Sequence, residues 1–65
     1  MPLIHISMIE GRTPEMKHRL IKEVSDACAH ALEIPVDRVR VAIHEMSTDD
    51  FGVGGVAETI ARRST

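Results

Sequence analysis

Tryptophan and tyrosine are absent from this chain, and Phe51 is its one aromatic residue. No large aromatic core can form, so burial has to rest on aliphatic side chains. Cysteine is almost missing too: Cys28 stands alone, which excludes an intrachain disulfide. No apolar run approaches the roughly 20 residues of a membrane span. The amino terminus lacks the basic segment and apolar core of a secretory signal. Neither sign of charge dominates, since 8 Lys and Arg face 10 Asp and Glu, interspersed along the chain. Apart from Arg62-Arg63 there is no one-sided basic footprint of a nucleic-acid binder. Together these absences predict a soluble cytoplasmic protein with neither nucleic acid nor membrane as partner. The lone thiol agrees with a reducing compartment.

What is present is short. The 65 residues form one domain, 1–65. A chain of this size buries only about 60% of the surface that its unfolded form exposes. Small domains offset that deficit with disulfides, metals or association. Disulfides are excluded, and no convincing metal set exists, so a homo-oligomer sharing apolar surface is expected.

Residues Leu3 to Ile9 read LIHISMI, a short run of β-formers that predicts a strand. Alternation sends Ile4, Ile6 and Met8 to one face and Leu3, His5, Ser7 and Ile9 to the other. Both faces are largely apolar, which predicts cover on both sides. Gly11 marks a turn. Thr13-Pro14-Glu15 then opens a helix: Thr13 can cap free N–H groups, Pro14 needs no N–H at the first position, and Glu15 suits the positive end of the dipole. Met16, Leu20, Val24, Ala27 and Ala31, widened by Ile21, Cys28 and Leu32, give an amphipathic helix over Pro14 to Leu32. Pro35 is expected to end it. Val39 to Met46 predicts a second strand, with Val39, Val41 and Ile43 on one face and Arg40, Ala42 and His44 on the other. Strand, helix and strand with short connections make a β-α-β unit with parallel strands. Such a two-stranded sheet needs another subunit to extend or stack it. The glycine-rich remainder predicts a tight turn or hairpin and then an extended or fraying tail, with a helical turn over Val56 to Ala61 as the alternative.

The chemistry turns on Pro2. A methionine followed by a small residue is normally trimmed, and proline then becomes the first residue. A free prolyl nitrogen is a secondary amine, able to act as a base without a cofactor, whereas every internal proline is an amide. A base works best with its pKa near the working pH. Burial in apolar surroundings and nearby cations both favour the neutral amine. The apolar strand after Pro2 supplies the first, and Arg12 and Arg40 supply the second. Two guanidinium forks also match a dicarboxylate or keto acid and would stabilise charge on an enolate oxygen.

Other groups offer less. Gly52-Val53-Gly54-Gly55 lacks the Lys and Ser/Thr of a phosphate loop. Cys28 lies on the helix stripe and reads as core. His18 and His30 are too far apart on the helix to ligate jointly. His5 and His44 fall on strands that could be adjacent, but no acidic pair or cysteine completes a metal set, so no metal is expected. Phe51, on a glycine-flanked loop, suits either a pocket wall or a subunit contact.

In combination these features resemble the 4-oxalocrotonate tautomerase family over almost the full length. The matching motifs are Pro2 after the initiator, Ile9-Glu10-Gly11-Arg12 closing the first strand, and the helix from Thr13. Val39-Arg40-Val41 and Phe51-Gly52-Val53-Gly54-Gly55 complete them. The resemblance implies an α+β fold: a β-α-β subunit with parallel strands and a carboxy-terminal hairpin, assembled as a homohexamer from three dimers. It implies a cofactor-free 1,3-proton shift in 2-hydroxydienoates such as 2-hydroxymuconate. Pro2 would take the proton from the 2-hydroxyl and return it at the far carbon. Arg40, from a neighbouring subunit, would bind near the 2-oxygen and draw electron density along the diene. Arg12 would hold the distant carboxylate, Phe51 would wall the site, and Ile9 and Val53 would line it. His5 and Met8 depart from better-known members of the family and leave the substrate open.

Two other functions fit the same pattern. Relatives that hydrate or dehalogenate 3-haloacrylates use an added carboxylate near the loop after the phenylalanine. Gly52-Val53-Gly54 carries none, although Asp49 and Asp50 lie just before Phe51. A non-catalytic structural or binding subunit of a mixed oligomer is the third, favoured if Met1 is retained.

Overall fold

Alternation and helical periodicity carry through into the computed structural model, which describes residues 1–63. The elements are β1 (Leu3–Ile9), α1 (Pro14–Leu32), a 3₁₀ turn (Val36–Arg38), β2 (Arg40–Met46), β3 (Gly52–Val53), β4 (Val56–Ala57) and α2 (Glu58–Arg63). β1 and β2 pair in parallel, in register from Leu3 opposite Arg40 to Ile9 opposite Met46. β3 and β4 form a separate antiparallel hairpin.

Helix α1 begins as its sequence dictates. The Thr13 hydroxyl accepts from the Met16 N–H at 3.2 Å, with Pro14 in the first turn. Its end is different from the expectation that Pro35 stops it. Glu33 turns into the left-handed region (φ 54°, ψ 49°), and the N–H groups of Glu33 and Ile34 bond back to the carbonyls of His30 and Ala29. This is a Schellman closure, with glutamate where glycine usually sits. Pro35 comes later and leads into the 3₁₀ turn.

The covered stripe of α1 is also narrower than the apolar pattern. Leu20, Ile21, Val24 and Cys28 are half-buried, with Lys17, Ser25 and Ala29 at the edges. Met16, Ala27, Ala31 and Leu32 remain exposed. The reason is width. A helix with side chains measures about 10–12 Å across, whereas two strands lie only about 4.8 Å apart. The sheet face that meets the helix carries Ile4, Ile6 and Met8, all half-buried; the opposite face leaves Leu3, His5 and Ser7 open.

The carboxy-terminal segment forms the hairpin and then takes the helical alternative in place of a fraying tail, starting at Glu58 and not at Val56. Gly54 and Gly55, with φ of 63° and 85°, make the two-residue turn between Val53 and Val56. Helix α2 follows at once. It is held by the Glu58 N–H on the Phe51 carbonyl (2.7 Å), the Thr59 N–H on the Thr48 carbonyl (3.1 Å), and the hydroxyls of Thr48 and Thr59 on each other.

One chain leaves its core unfinished. Among the described residues only Val39 is buried. The accessible surface is 5081 Å², against about 4,100 Å² for a compact monomer of this mass. The radius of gyration is 15.3 Å, against about 11 Å for a compact chain of this length. The molecule is a flat, long body of 46 × 24 × 14 Å. No helix among the described residues is long and apolar enough to cross a membrane.

Candidate active site

Pro2 stands immediately before β1 and is half-buried. Its carbonyl accepts the Arg40 N–H at 3.1 Å, which extends the parallel ladder by one bond and fixes Pro2 beside the start of β2. Met1 precedes it with 85% of its surface exposed, so trimming Met1 removes almost no packing. With Met1 attached the Pro2 nitrogen is an amide; without it, the same position carries a free secondary amine.

Arg40 opens β2, paired with Leu3. Its side chain is exposed, and Nη1 donates to the Asp37 carbonyl at 2.9 Å. The guanidinium is thereby anchored at one corner while its other donors remain for a ligand.

Ile9 and Arg12 lie at the far end of the strand. The Glu10 N–H on the Met46 carbonyl (2.9 Å) closes the ladder there. Gly11 then takes φ 126°, a conformation side chains rarely adopt, and the chain turns toward α1. Arg12 lines a pocket of about 260 Å³ with Met8, Met16, Lys17 and Leu20. Lys17 is occupied by Glu45 at 2.7 Å. Arg12 has no ion-pair partner among the described residues. The pocket therefore offers an apolar floor and an open cation, suited to an organic carboxylate.

Phe51 and Val53 sit on the hairpin segment, 39% and 67% exposed. Two exposed apolar side chains on a projecting arm can wall a site only where another surface meets them.

In a single chain the backbones of Pro2 and Arg40 meet at one end of the sheet, and Ile9 and Arg12 lie at the other. The chain does not bring the two groups to one place. The seven residues of β1 rise about 3.3 Å each, which puts its ends about 20 Å apart. A small diacid cannot touch Pro2 and Arg12 of the same chain. Lys17 and the methionines around Arg12 escaped the sequence reading. Their one signal was position, because the first turns of α1 face back onto the strand end that carries Arg12.

The sequence matches the family described as "Tautomerase enzyme" over residues 2–59. The chain belongs to the tautomerase family. It is 48% identical to a 2-hydroxymuconate tautomerase of Pseudomonas sp. (strain CF600), over 97% of this chain and 100% of that one. Among solved structures, a 4-oxalocrotonate tautomerase isozyme from Methylibium petroleiphilum matches with a TM-score of 0.94 at 28% identity, covering 98% and 100% of the two chains. A heterohexamer 4-oxalocrotonate tautomerase from Chloroflexus aurantiacus J-10-fl matches with a TM-score of 0.86 at 37% identity, covering 91% and 95%. This tautomerase is accordingly an isomerase, with the β-α-β subunit of its relatives. It acts on a small molecule, and its open apolar surface is that of an oligomer subunit.

Proposed function

We propose that this tautomerase catalyses the enol-to-ketone proton shift of a 2-hydroxydienoate diacid, with 2-hydroxymuconate as the reference substrate. Near-complete coverage at 48% identity by a protein named for that reaction carries the reading. In the proposed reaction the free Pro2 nitrogen takes the proton of the 2-hydroxyl. Electron density moves along the diene, and the prolyl ammonium returns the proton at the far carbon, leaving the 2-oxo acid. Arg40 neutralises charge at the 2-oxygen and the adjacent carboxylate. Arg12 grips the distant carboxylate in its pocket. Phe51, Ile9 and Val53 keep water from the amine, which holds it neutral and basic enough to act.

The 20 Å span of β1 supports a composite site, in which Pro2 and Arg12 come from different copies. A hexamer of three dimers is the assembly we propose, each chain being one domain over residues 1–65. Exposed Leu3, Met16, Leu32, Val53 and Ile60 are the apolar surface available to build it. Half-buried free Cys28 agrees with the proposed cytoplasmic setting.

The test is spectroscopic. Purified protein is mixed with 2-hydroxymuconate, and the absorbance of the conjugated ketone is followed. Rapid conversion that is lost on replacing Pro2 supports the reading. Conversion of 3-haloacrylates with release of halide, and none of 2-hydroxymuconate, would replace it with the dehalogenase alternative.

A further inference from the structure

Two histidines that the proposed reaction does not use meet on the open face of the sheet. His5 lies on β1 and His44 on β2, diagonal neighbours because His5 is opposite Ala42 and Ser7 is opposite His44. His5 Nδ1 is 2.9 Å from His44 Nε2. The ring centres are 5.1 Å apart and the planes differ by 7°. Nitrogens much closer than the centres, in parallel rings, mean that the rings meet edge to edge. The facing nitrogens are at hydrogen-bond distance, one donating and the other accepting, and the rings do not stack.

From this we infer that His5 and His44 form a bidentate imidazole site for a divalent transition metal of the copper(II) or nickel(II) type. Metal–imidazole bonds of about 2.0–2.1 Å at right angles put two nitrogens about 2.9 Å apart, the cis spacing of a square-planar or tetragonal centre. The pair already has that spacing. Both side chains are exposed on one sheet face, so the rings can tilt to turn both lone pairs outward. Binding needs no net loss of a proton from the neutral pair. The hydrogen-bonded proton leaves the facing nitrogen of the donor ring, and that ring keeps one proton on its outer nitrogen instead. Two strands hydrogen-bonded along their length fix the separation of the two Cα atoms, which limits the entropy lost on chelation. The nearest cation on this face, Arg40, is drawn back to the Asp37 carbonyl at the start of β2, four residues from His44. No group of three or more His, Cys, Asp or Glu side chains gathers among the described residues. The remaining positions on the metal therefore fall to water or to another copy of this chain.

Copper(II) is the probe, added to the assembled protein and followed by its visible absorption and by the nitrogen hyperfine pattern of its electron spin resonance. The expected result is one site per chain with two imidazole nitrogens. His5→Ala and His44→Ala should each weaken it at least about tenfold, a loss that even changes outside the ligand shell can reach. The double variant should be little worse than either single one, since a chelate is broken once. His18→Ala, on the exposed side of α1, should leave it unchanged. Far-ultraviolet dichroism and tautomerase activity check that each variant is folded. If an alanine variant fails that check, His5→Gln and His44→Gln take its place. Copper binding that is equal in wild type and in the folded His5 and His44 variants would overturn the proposal. So would losses that merely add.

Discussion

Pro2 differs from the other prolines of the chain by one covalent fact, the freedom of its nitrogen once Met1 is gone. Alanine at this position keeps the carbonyl that accepts from Arg40 and so keeps the strand start. Pro2→Ala should therefore fold and assemble as wild type while kcat falls by about 100-fold or more, the scale of a lost acid–base group. The arginines separate kinetically. Arg40→Ala should lower kcat by roughly 100-fold, as for a lost donor to developing negative charge. Arg12→Ala should chiefly raise KM, by roughly 10- to 100-fold for a dicarboxylate and far less for a monocarboxylate. Equal effects of Arg12→Ala on both substrate types would remove it from the carboxylate pocket. These residues could be singled out from sequence because a prolyl terminus and two arginines beside apolar strands are unusual chemistry. Their distribution over the two ends of β1 could not, since that requires the pairing register. The contact between His5 and His44 was half legible. Strand adjacency suggested it, but the diagonal offset comes from the register.

Helix α1 shows at the scale of one element what local sequence determines. Its start was legible because Thr13, Pro14 and Glu15 each act through a local mechanism. Its end was not, because the closing residue is a glutamate, and nothing in the glutamate side chain announces a left-handed backbone. That conformation costs an L-residue roughly 1–2 kcal/mol. Glu33→Gly should raise stability by about 1 kcal/mol, read as a higher denaturation midpoint at fixed protein concentration. Thr13→Ala should lower it by about 1 kcal/mol through loss of the cap. No change in either variant would mean that α1 is held by its packing and not by its ends. Helix α2 was only partly legible, as a helical turn over Val56 to Ala61, for a complementary reason. Six residues do not sustain a helix alone, and its start is fixed by bonds to Phe51 and Thr48, distant in pattern although near in chain.

The whole molecule is a subunit by its surface. About 1,000 Å² more is exposed than a compact monomer of this mass would show, and Leu3, Met16, Leu32, Val53 and Ile60 are each more than half exposed. Association was foreseeable from the short length once an intrachain disulfide and a metal set were set aside. Which faces remain open became visible only with the sheet register and the hairpin arm in place. Folding and assembly should be linked, so the unfolding midpoint should climb with protein concentration. Activity should fall with dilution in step with the sedimenting species. A midpoint independent of concentration would make the subunit self-sufficient.

The free nitrogen of Pro2 remains the centre, and it can be weighed directly. Chains with and without Met1 are separated, identified by intact mass, and assayed on 2-hydroxymuconate at equal concentration. Turnover is expected from the chains lacking Met1 and to be almost absent from those that keep it. Undiminished turnover from chains that keep Met1, whose Pro2 nitrogen is an amide, would contradict the assignment.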